Sequence, residues 1–174
     1  VGEIRDHETA QTAVQAALTG HLLFSTLHTN DAVGAMQRLN DLGIDNFKTG
    51  GALLGSIAQR LLRSICPHCK EPVEPNEHYL KALNHRVEIP EATVFYRGRG
   101  CKKCLGAGYA GRVPIYEILL ITSRLAAAIE KGLPSSKIRE IALEEGLIEL
   151  ASAGVEQVIA GHTTLEEVFL KISG

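Results

Sequence analysis

The distribution of apolar and polar residues along the chain predicts an α/β fold in its first third. Two short apolar segments, residues 1–6 and 21–26, are typical of strands buried in a parallel sheet. Between them, small and apolar residues recur at helical spacing up to Leu18, and Gly20 suits the end of that helix. Because strands and helices alternate, we expect a parallel sheet with helices packed against it.

Apolar periodicity continues beyond the second segment and predicts two further helices. Thr29 or Asn30 can cap a helix that carries apolar residues on one side and ends near Gly43. The next helix is expected within residues 47–65, where leucine and isoleucine recur on one side.

A change of composition at Cys66 divides the chain into three predicted parts. Residues 1–65 form the α/β part, and residues 66–110 hold all four cysteines and most of the prolines, as in a small loop-rich insert. Residues 111–174 begin with an apolar strand. A series of helices follows from Thr122, each with a glycine or the chain end near its stop.

Composition and charge exclude several classes of protein. Hydrophobic residues make up 45% and charged residues 22%, as in globular proteins. The net charge of −2 and the 5% aromatic content argue against a dedicated nucleic-acid binder. No apolar run approaches the ~20 residues of a membrane helix, so we expect a cytoplasmic protein.

The cysteines form two pairs with the spacing of metal-binding knuckles. Cys66 and Cys69 enclose two residues, and so do Cys101 and Cys104. Four thiolates from two knuckles provide the closed tetrahedral set of a structural zinc site, which leaves no position for a reactive water. The alternatives are four reduced cysteines, one redox-active pair, or replacement of one ligand by His68.

Polar residues follow both predicted strands of the first third. Glu3 ends the first strand, and His28 lies just after the second. Since ligands bind at the carboxyl ends of parallel strands, both side chains are candidates for one crevice. A carboxylate there orients water, and an imidazole donates to a phosphoryl oxygen. The alternatives are a solvated turn carboxylate and a capping or core histidine.

Several stretches together resemble the motor domain of bacterial type II secretion and type IV pilus assembly ATPases. GEIRDHET (residues 2–9) resembles the Walker B motif of that family, and STLHTNDA (25–32) resembles its histidine box. AQRLLRSICPHCK (58–70) and GCKKCLGAGYAGRVPIYEIL (100–119) resemble the segment that carries a tetracysteine zinc subdomain. The resemblance covers nearly the whole chain.

The resemblance implies the C-terminal part of a RecA-like P-loop ATPase domain, with a zinc-binding insert and a helical C-terminal subdomain. Such a motor is a cytoplasmic homo-hexamer that hydrolyses ATP with Mg²⁺ and acts on platform proteins of the inner membrane. Carried over by position, Glu3 is the Walker B acid that positions water or Mg²⁺, and His28 lies near the γ-phosphate. Arg5 and Asp6 are expected to hold local structure.

The resemblance also sets expectations about activity and class. No phosphate-binding loop, Gly-x4-Gly-Lys-Ser/Thr, occurs in the 174 residues, so we expect it upstream in a longer protein and expect this chain alone to be inactive. Pilus retraction ATPases generally lack the four cysteines, so their presence favours a role in secretion or pilus assembly. No residue distinguishes secretion from pilus assembly.

Nucleotide or subunit-interface roles for Arg60 and Arg63 stay open beside surface or ion-pair roles. A non-catalytic zinc module that recognises a partner is the alternative function.

Overall fold

The structure is a computed structural model that describes residues 1–172 and is mixed α/β. The helices are α1 (His7–Leu18), α2 (Gly34–Asp41), α3 (Asn46–Ala52), α4 (Glu77–Asn84), α5 (Ser123–Glu130), α6 (Ser135–Glu144), α7 (Leu150–Ile159) and α8 (Leu165–Ile172). The strands are β1 (Gly55–Ile65), β2 (Lys70–Pro72), β3 (Tyr96–Gly98) and β4 (Tyr109–Leu120), with a 3-10 turn at Lys102–Cys104.

The described chain folds into two compact units, each built from two separate segments. The first unit comprises Val1–Ala58 and Glu117–Ile148, and the second comprises Gln59–Tyr116 and the residues from Glu149 onward. The predicted division into residues 1–65, 66–110 and 111–174 is based on composition and motifs, whereas the two units are defined by compactness. The predicted division therefore stays a prediction. Its last two residues lie outside the described part of the chain.

Helix α1 is confirmed, and local signals explain both of its ends. Asp6 accepts a hydrogen bond from the Thr9 N–H at 2.9 Å, which satisfies one of the unpaired donors of the first turn. After the helix, Gly20 adopts a φ of 98°, a left-handed conformation that glycine adopts without steric cost. The buried side of α1 packs with Ile4, Leu39 and other apolar residues in the core of the first unit.

Helix α2 begins later than the sequence predicts. Thr29 and Asn30 do not cap it, because residues 29–33 form a loop and the first helical residue is Gly34. The Gly34 N–H instead donates to the carboxylate of Asp31 at 2.7 Å. The predicted end near Gly43 is correct, since that glycine has a φ of 84° just after the helix.

The predicted parallel sheet is not formed within residues 1–172, where the strands pair as β1 with β4 and β2 with β3. The two apolar segments expected as strands have no regular secondary structure, although the Ile4 N–H donates to the Thr26 carbonyl at 3.0 Å and the Val1 amine donates to the Phe24 carbonyl at 3.1 Å. These bonds do not make up the evenly spaced ladder of a parallel pair. Leu22 and Phe24 are 68% and 79% exposed, whereas a central parallel strand is covered on both faces.

The single helix predicted within residues 47–65 is wrong. Helix α3 covers only the first part, and β1 covers the rest. The buried hydrophobic residues of β1 are Ala58, Leu62 and Ile65, spaced by four and three positions, which imitates the period of a helix. Leucine, arginine and glutamine also favour helices, so only the pairing with another strand decides for β structure.

Strand β1 pairs with β4 in antiparallel fashion. The Ile121 N–H donates to the Leu54 carbonyl at 3.0 Å beyond one end, and the Cys66 N–H donates to the Gly108 carbonyl at 2.9 Å beyond the other. The apolar strand predicted at the start of residues 111–174 is therefore confirmed as part of β4.

The helical tail is also confirmed, as α5 to α8. Thr122 caps α5 by accepting a hydrogen bond from the Leu125 N–H at 3.2 Å. In the second unit, β2 and β3 form a short antiparallel pair in which Glu71 lies opposite Arg97. Among residues 1–172, no helix has the length and apolar character needed to cross a membrane.

Candidate functional site

Glu3 and His28, both predicted from the sequence, lie in direct contact. His28 Nε2 is 2.5 Å from Glu3 Oε1, although 25 positions separate the two residues. Glu3 lies in the segment before α1, and His28 follows the segment that is bonded to it through Thr26. The Glu3 side chain is 21% exposed and the His28 side chain 83%. The acid is thus largely enclosed, and the imidazole is open to a ligand.

Arg5 contacts the second oxygen of the same carboxylate. Its Nη2 lies 2.6 Å from Glu3 Oε2, so that Glu3 lies between a guanidinium and an imidazole. The hydrogen bond from Arg5 lowers the pKa of Glu3 below its ordinary value of 4.5, against partial desolvation, and the bond from His28 acts in the same direction. Glu3 is therefore a carboxylate at neutral pH.

An open depression of about 560 Å³ surrounds this carboxylate. Its lining consists of Gly2, Glu3, Arg5, Asp6 and Thr26. Thr26 donates from Oγ1 to the Gly2 carbonyl at 2.9 Å, which joins the two segments beside the acid. Sequence reasoning missed the role of Thr26, whose only signal was its position two residues before His28.

The loop after His28 is held by residues that sequence reasoning also missed. Asp31 forms an ion pair with Arg139 on α6, and the Ala32 N–H donates to Glu117 on β4. These partners lie 108 and 85 positions away, so no local pattern indicates them.

The second candidate site is the cluster of four cysteine sulfurs in the second unit. The sulfurs of Cys66, Cys69, Cys101 and Cys104 lie within 4.8 Å of one another. Adjacent sulfurs are 3.7, 3.8 and 4.0 Å apart. Sulfurs placed tetrahedrally at about 2.3 Å from zinc would be separated by about 3.8 Å. The cluster therefore has dimensions suitable for a metal such as zinc.

The electrostatics of the cysteines differ because their surroundings differ. Cys104 Sγ accepts hydrogen bonds from the N–H groups of Cys101 and Gly108, at 3.2 and 3.3 Å. These bonds stabilise the thiolate and lower the pKa of Cys104 to about 6. Burial has the opposite effect on Cys69 and raises its pKa to about 12. A cation would offset the cost of that buried charge, since metal binding requires deprotonated sulfur.

A close backbone approach between Gly98 and Gly108 shapes the second knuckle. A Cβ atom at Gly98 would lie 1.9 Å from the Gly108 carbonyl oxygen, a distance no side chain can accept. Gly108 also accepts a bond from Cys66 and donates to Cys104. The glycines around this pair of cysteines therefore bring the two knuckles together.

The remaining candidates lie outside both clusters. His68 is exposed and is not among the grouped ligands of the described residues. Arg60 donates to the Gln59 carbonyl at 3.1 Å, while Arg63 forms an ion pair with Glu167 on α8 at 2.6 Å. Of the roles considered for Arg63, the structure shows the ion pair.

Comparisons with known proteins agree over nearly the whole chain. A family model described as type II/IV secretion system protein matches residues 1–170. The type IV pilus assembly ATPase PilB of Thermus thermophilus is 43% identical over 98% of this chain and 19% of its own length. The type II secretion system ATPase E of Vibrio cholerae is 46% identical over 97% of this chain and 33% of its own length.

A solved structure resembles the chain as well. The crystal structure of the pilus retraction motor PilT with bound ADP superposes with a TM-score of 0.63 at 25% identity, covering 98% of this chain and 38% of that one. The chain thus spans from 19% to 34% of the length of the curated relatives it matches.

Proposed function

Because this chain belongs to the type II/IV secretion system protein family, we propose that it is the C-terminal part of the motor domain of an ATPase that powers type II protein secretion or type IV pilus assembly. The relatives that match almost all of it include ATPases of both kinds by name. The observation that carries the proposal is the 2.5 Å contact between Glu3 and His28, which joins the two motifs that the resemblance assigns to the nucleotide site.

Glu3 acts as the acid of this site. Phosphoryl transfer depends mainly on positioning and charge stabilisation, and Mg²⁺ supplies much of that charge when bound with ATP. The Glu3 carboxylate, whose pKa Arg5 lowers further, would position the attacking water or Mg²⁺. A His28 ring protonated on both nitrogens would donate from Nε2 to Glu3 and from Nδ1 to an oxygen of the terminal phosphate.

The four cysteines would hold a structural zinc ion. All four ligand positions would be supplied by sulfur, so the metal would take no part in hydrolysis. Its effect is to stabilise a segment whose own secondary structure is limited to β2, α4, β3 and a 3-10 turn.

Secretion or pilus assembly fits this chain better than pilus retraction. Identity to the secretion and assembly ATPases is 42% to 46%, against 25% for the retraction motor. We propose that the full-length protein forms a cytoplasmic homo-hexamer and acts on inner-membrane platform proteins, as the family resemblance implies.

ATP hydrolysis by the full-length protein tests the proposal. Glu3→Gln preserves the shape of the side chain and removes its charge, so we expect turnover to fall by a factor of about 100 or more. Glu156→Gln is the matched control, because Glu156 is an exposed acid on α7, outside the motifs assigned to the nucleotide site, and its turnover should equal that of the parent.

Two outcomes would contradict the proposal. Full turnover in Glu3→Gln would show that the Glu3 carboxylate is not needed for hydrolysis. A full-length protein that binds zinc and hydrolyses no ATP would favour the non-catalytic zinc module. The 174-residue chain by itself is expected to show no turnover above background.

A further inference from the structure

We propose that Arg139 and Glu117 are positioning residues for His28, because together they hold the loop that follows it, residues 29–33. The catalytic consequence of this inference rests on the proposed function, whereas the positioning itself does not. All residues involved lie in the first compact unit.

The first part of the argument is the backbone of Ala32. Its N–H donates to Glu117 Oε1 on β4 at 2.9 Å, and its carbonyl accepts from Ser56 Oγ on β1 at 2.6 Å. Ala32 and Glu117 are only 1% and 2% exposed, so water cannot replace these partners easily. One residue of the loop is therefore fixed on both sides by the two paired strands.

The second part is the carboxylate of Asp31. Arg139 Nη2 on α6 lies 2.7 Å from Asp31 Oδ2, and the other oxygen accepts from the Gly34 N–H at 2.7 Å. Arg139 Nη1 also lies 3.9 Å from Glu117 Oε1. The guanidinium thus interacts with both acids that hold the loop. It reduces the cost of burying Glu117.

These contacts matter for His28 because packing does not hold its ring. Apart from the contact with Glu3, the side chain is 83% exposed, so its position also depends on the backbone on either side. On the preceding side, Thr26 is bonded to Gly2 and Ile4. On the following side, Thr29 donates from Oγ1 to the Asp31 carbonyl at 3.0 Å. Asp31 is bound in turn by Arg139, and the next residue is bound by Glu117.

The arrangement links helix α6 to the nucleotide side of the molecule. Arg139 lies on α6 and reaches a residue three positions after His28. A displacement of α6 would therefore act on the loop directly, without passing through the protein core. Arg124 is a suitable arginine to compare with Arg139, because it lies in the same unit. Its ion pairs are with Glu144 and Glu145 and not with residues 29–33.

Hydrogen exchange and turnover, measured on the same full-length protein, test the inference. In Arg139→Ala, amide exchange of the peptide containing residues 29–34 should accelerate about tenfold or more, the ratio expected from losing a charge-assisted hydrogen bond. Exchange within α1 should not change. The kcat for ATP should fall between about ten- and a hundredfold with little change in KM, since a misplaced group slows chemistry more than binding. Arg139→Lys should restore part of both effects.

Two further variants keep the test decisive. Asp31→Asn retains an oxygen for the Gly34 N–H while losing the charge that pairs with Arg139, so it should reproduce the faster exchange even if Arg139→Ala folds poorly. Arg124→Ala should change neither exchange of the loop nor kcat.

The results separate the two proposals. Unchanged exchange of residues 29–34 in both Arg139→Ala and Asp31→Asn would overturn the positioning role, whatever the turnover. Faster exchange in those variants of a protein that hydrolyses no ATP would support positioning and contradict the proposed function. Equal effects of Arg124→Ala and Arg139→Ala on the loop would show a general loss of stability and would overturn the inference.

Discussion

Arg63 and Glu167 are joined by three contacts, although they are 104 positions apart. The Arg63 N–H donates to Glu167 Oε1 at 3.0 Å, and its Nε and Nη2 lie 2.7 and 2.6 Å from Oε2. The same guanidinium lies 4.2 Å from the centre of the Tyr109 ring. Glu167 is 1% exposed, so this carboxylate links α8 to β1 inside the second unit and depends on Arg63 for its charge balance.

Glu167→Gln should destabilise the protein. The amide oxygen can still accept from the Arg63 N–H, but the two charged bonds to Oε2 are lost. We expect the free energy of unfolding to fall by about 1–3 kcal/mol at pH 7, as measured by urea denaturation. Glu77→Gln on α4 is the control, since its ion pair with Lys81 is exposed and should contribute little.

The same pair predicts a pH dependence. Burial raises the pKa of Glu167, but the bonds from Arg63 outweigh it, and the net pKa lies below the ordinary 4.5. A group whose pKa is lowered on folding stabilises the protein above its unfolded pKa. The stability difference between the parent and Glu167→Gln should therefore be complete above about pH 5 and shrink as the pH falls through the lowered pKa. A difference that grows on acidification would contradict this assignment.

Arg5→Ala should raise the pKa of Glu3 towards its ordinary value. Arg5 contributes the largest lowering effect on this carboxylate, and the contact with His28 is left in place. A pH titration of the Glu3 carboxyl carbon by NMR measures the change. Asp45 is an internal reference, because its pKa is lowered by Lys48 instead and should not respond. Equal shifts at both acids would indicate a general effect of net charge.

Metal removal should unfold the knuckle segment. We expect one zinc per chain by elemental analysis, a lower Tm after chelation, and recovery when zinc is returned. Cys104→Ser should lose most of the metal, since Cys104 lies in the sulfur cluster. His68→Ala should retain all of it, because His68 is exposed and outside that cluster. An equal loss of zinc in both variants would show that His68 is a ligand and would contradict this assignment.

Gly98→Ala should be among the most damaging single substitutions in the second unit. The new Cβ would collide with the Gly108 carbonyl at 1.9 Å, so the two segments that flank the second knuckle must separate. We expect a loss of at least about 3 kcal/mol in unfolding free energy together with weaker zinc binding. Gly106→Ala is the control: its φ is 81° but nothing lies within 4 Å of the new Cβ, so only about 1–2 kcal/mol of backbone strain is expected. Similar losses in both variants would show that the close approach is not the cause.

Features with a local physical cause could be predicted from the sequence. Helix α1 is followed by a glycine of positive φ, and so are the tail helices α5, α6 and α7. The spacing of the cysteines brings each pair of thiols to one knuckle. Glu3 and His28 could be expected to meet because each is placed at the end of a predicted strand, and their contact at 2.5 Å agrees with that expectation, while their catalytic roles stay predictions.

Features that depend on distant residues were decided by the tertiary structure alone. Strand β1 has the apolar spacing of a helix, and only its hydrogen bonds to β4 make it a strand. Thr29 and Asn30 have suitable side chains for a helix start, yet Arg139 and Glu117 hold the following residues as a loop. The physical reason is that a cap or a knuckle satisfies its polar groups within a few residues, whereas a buried carboxylate or a strand edge finds its partner only after the chain has folded.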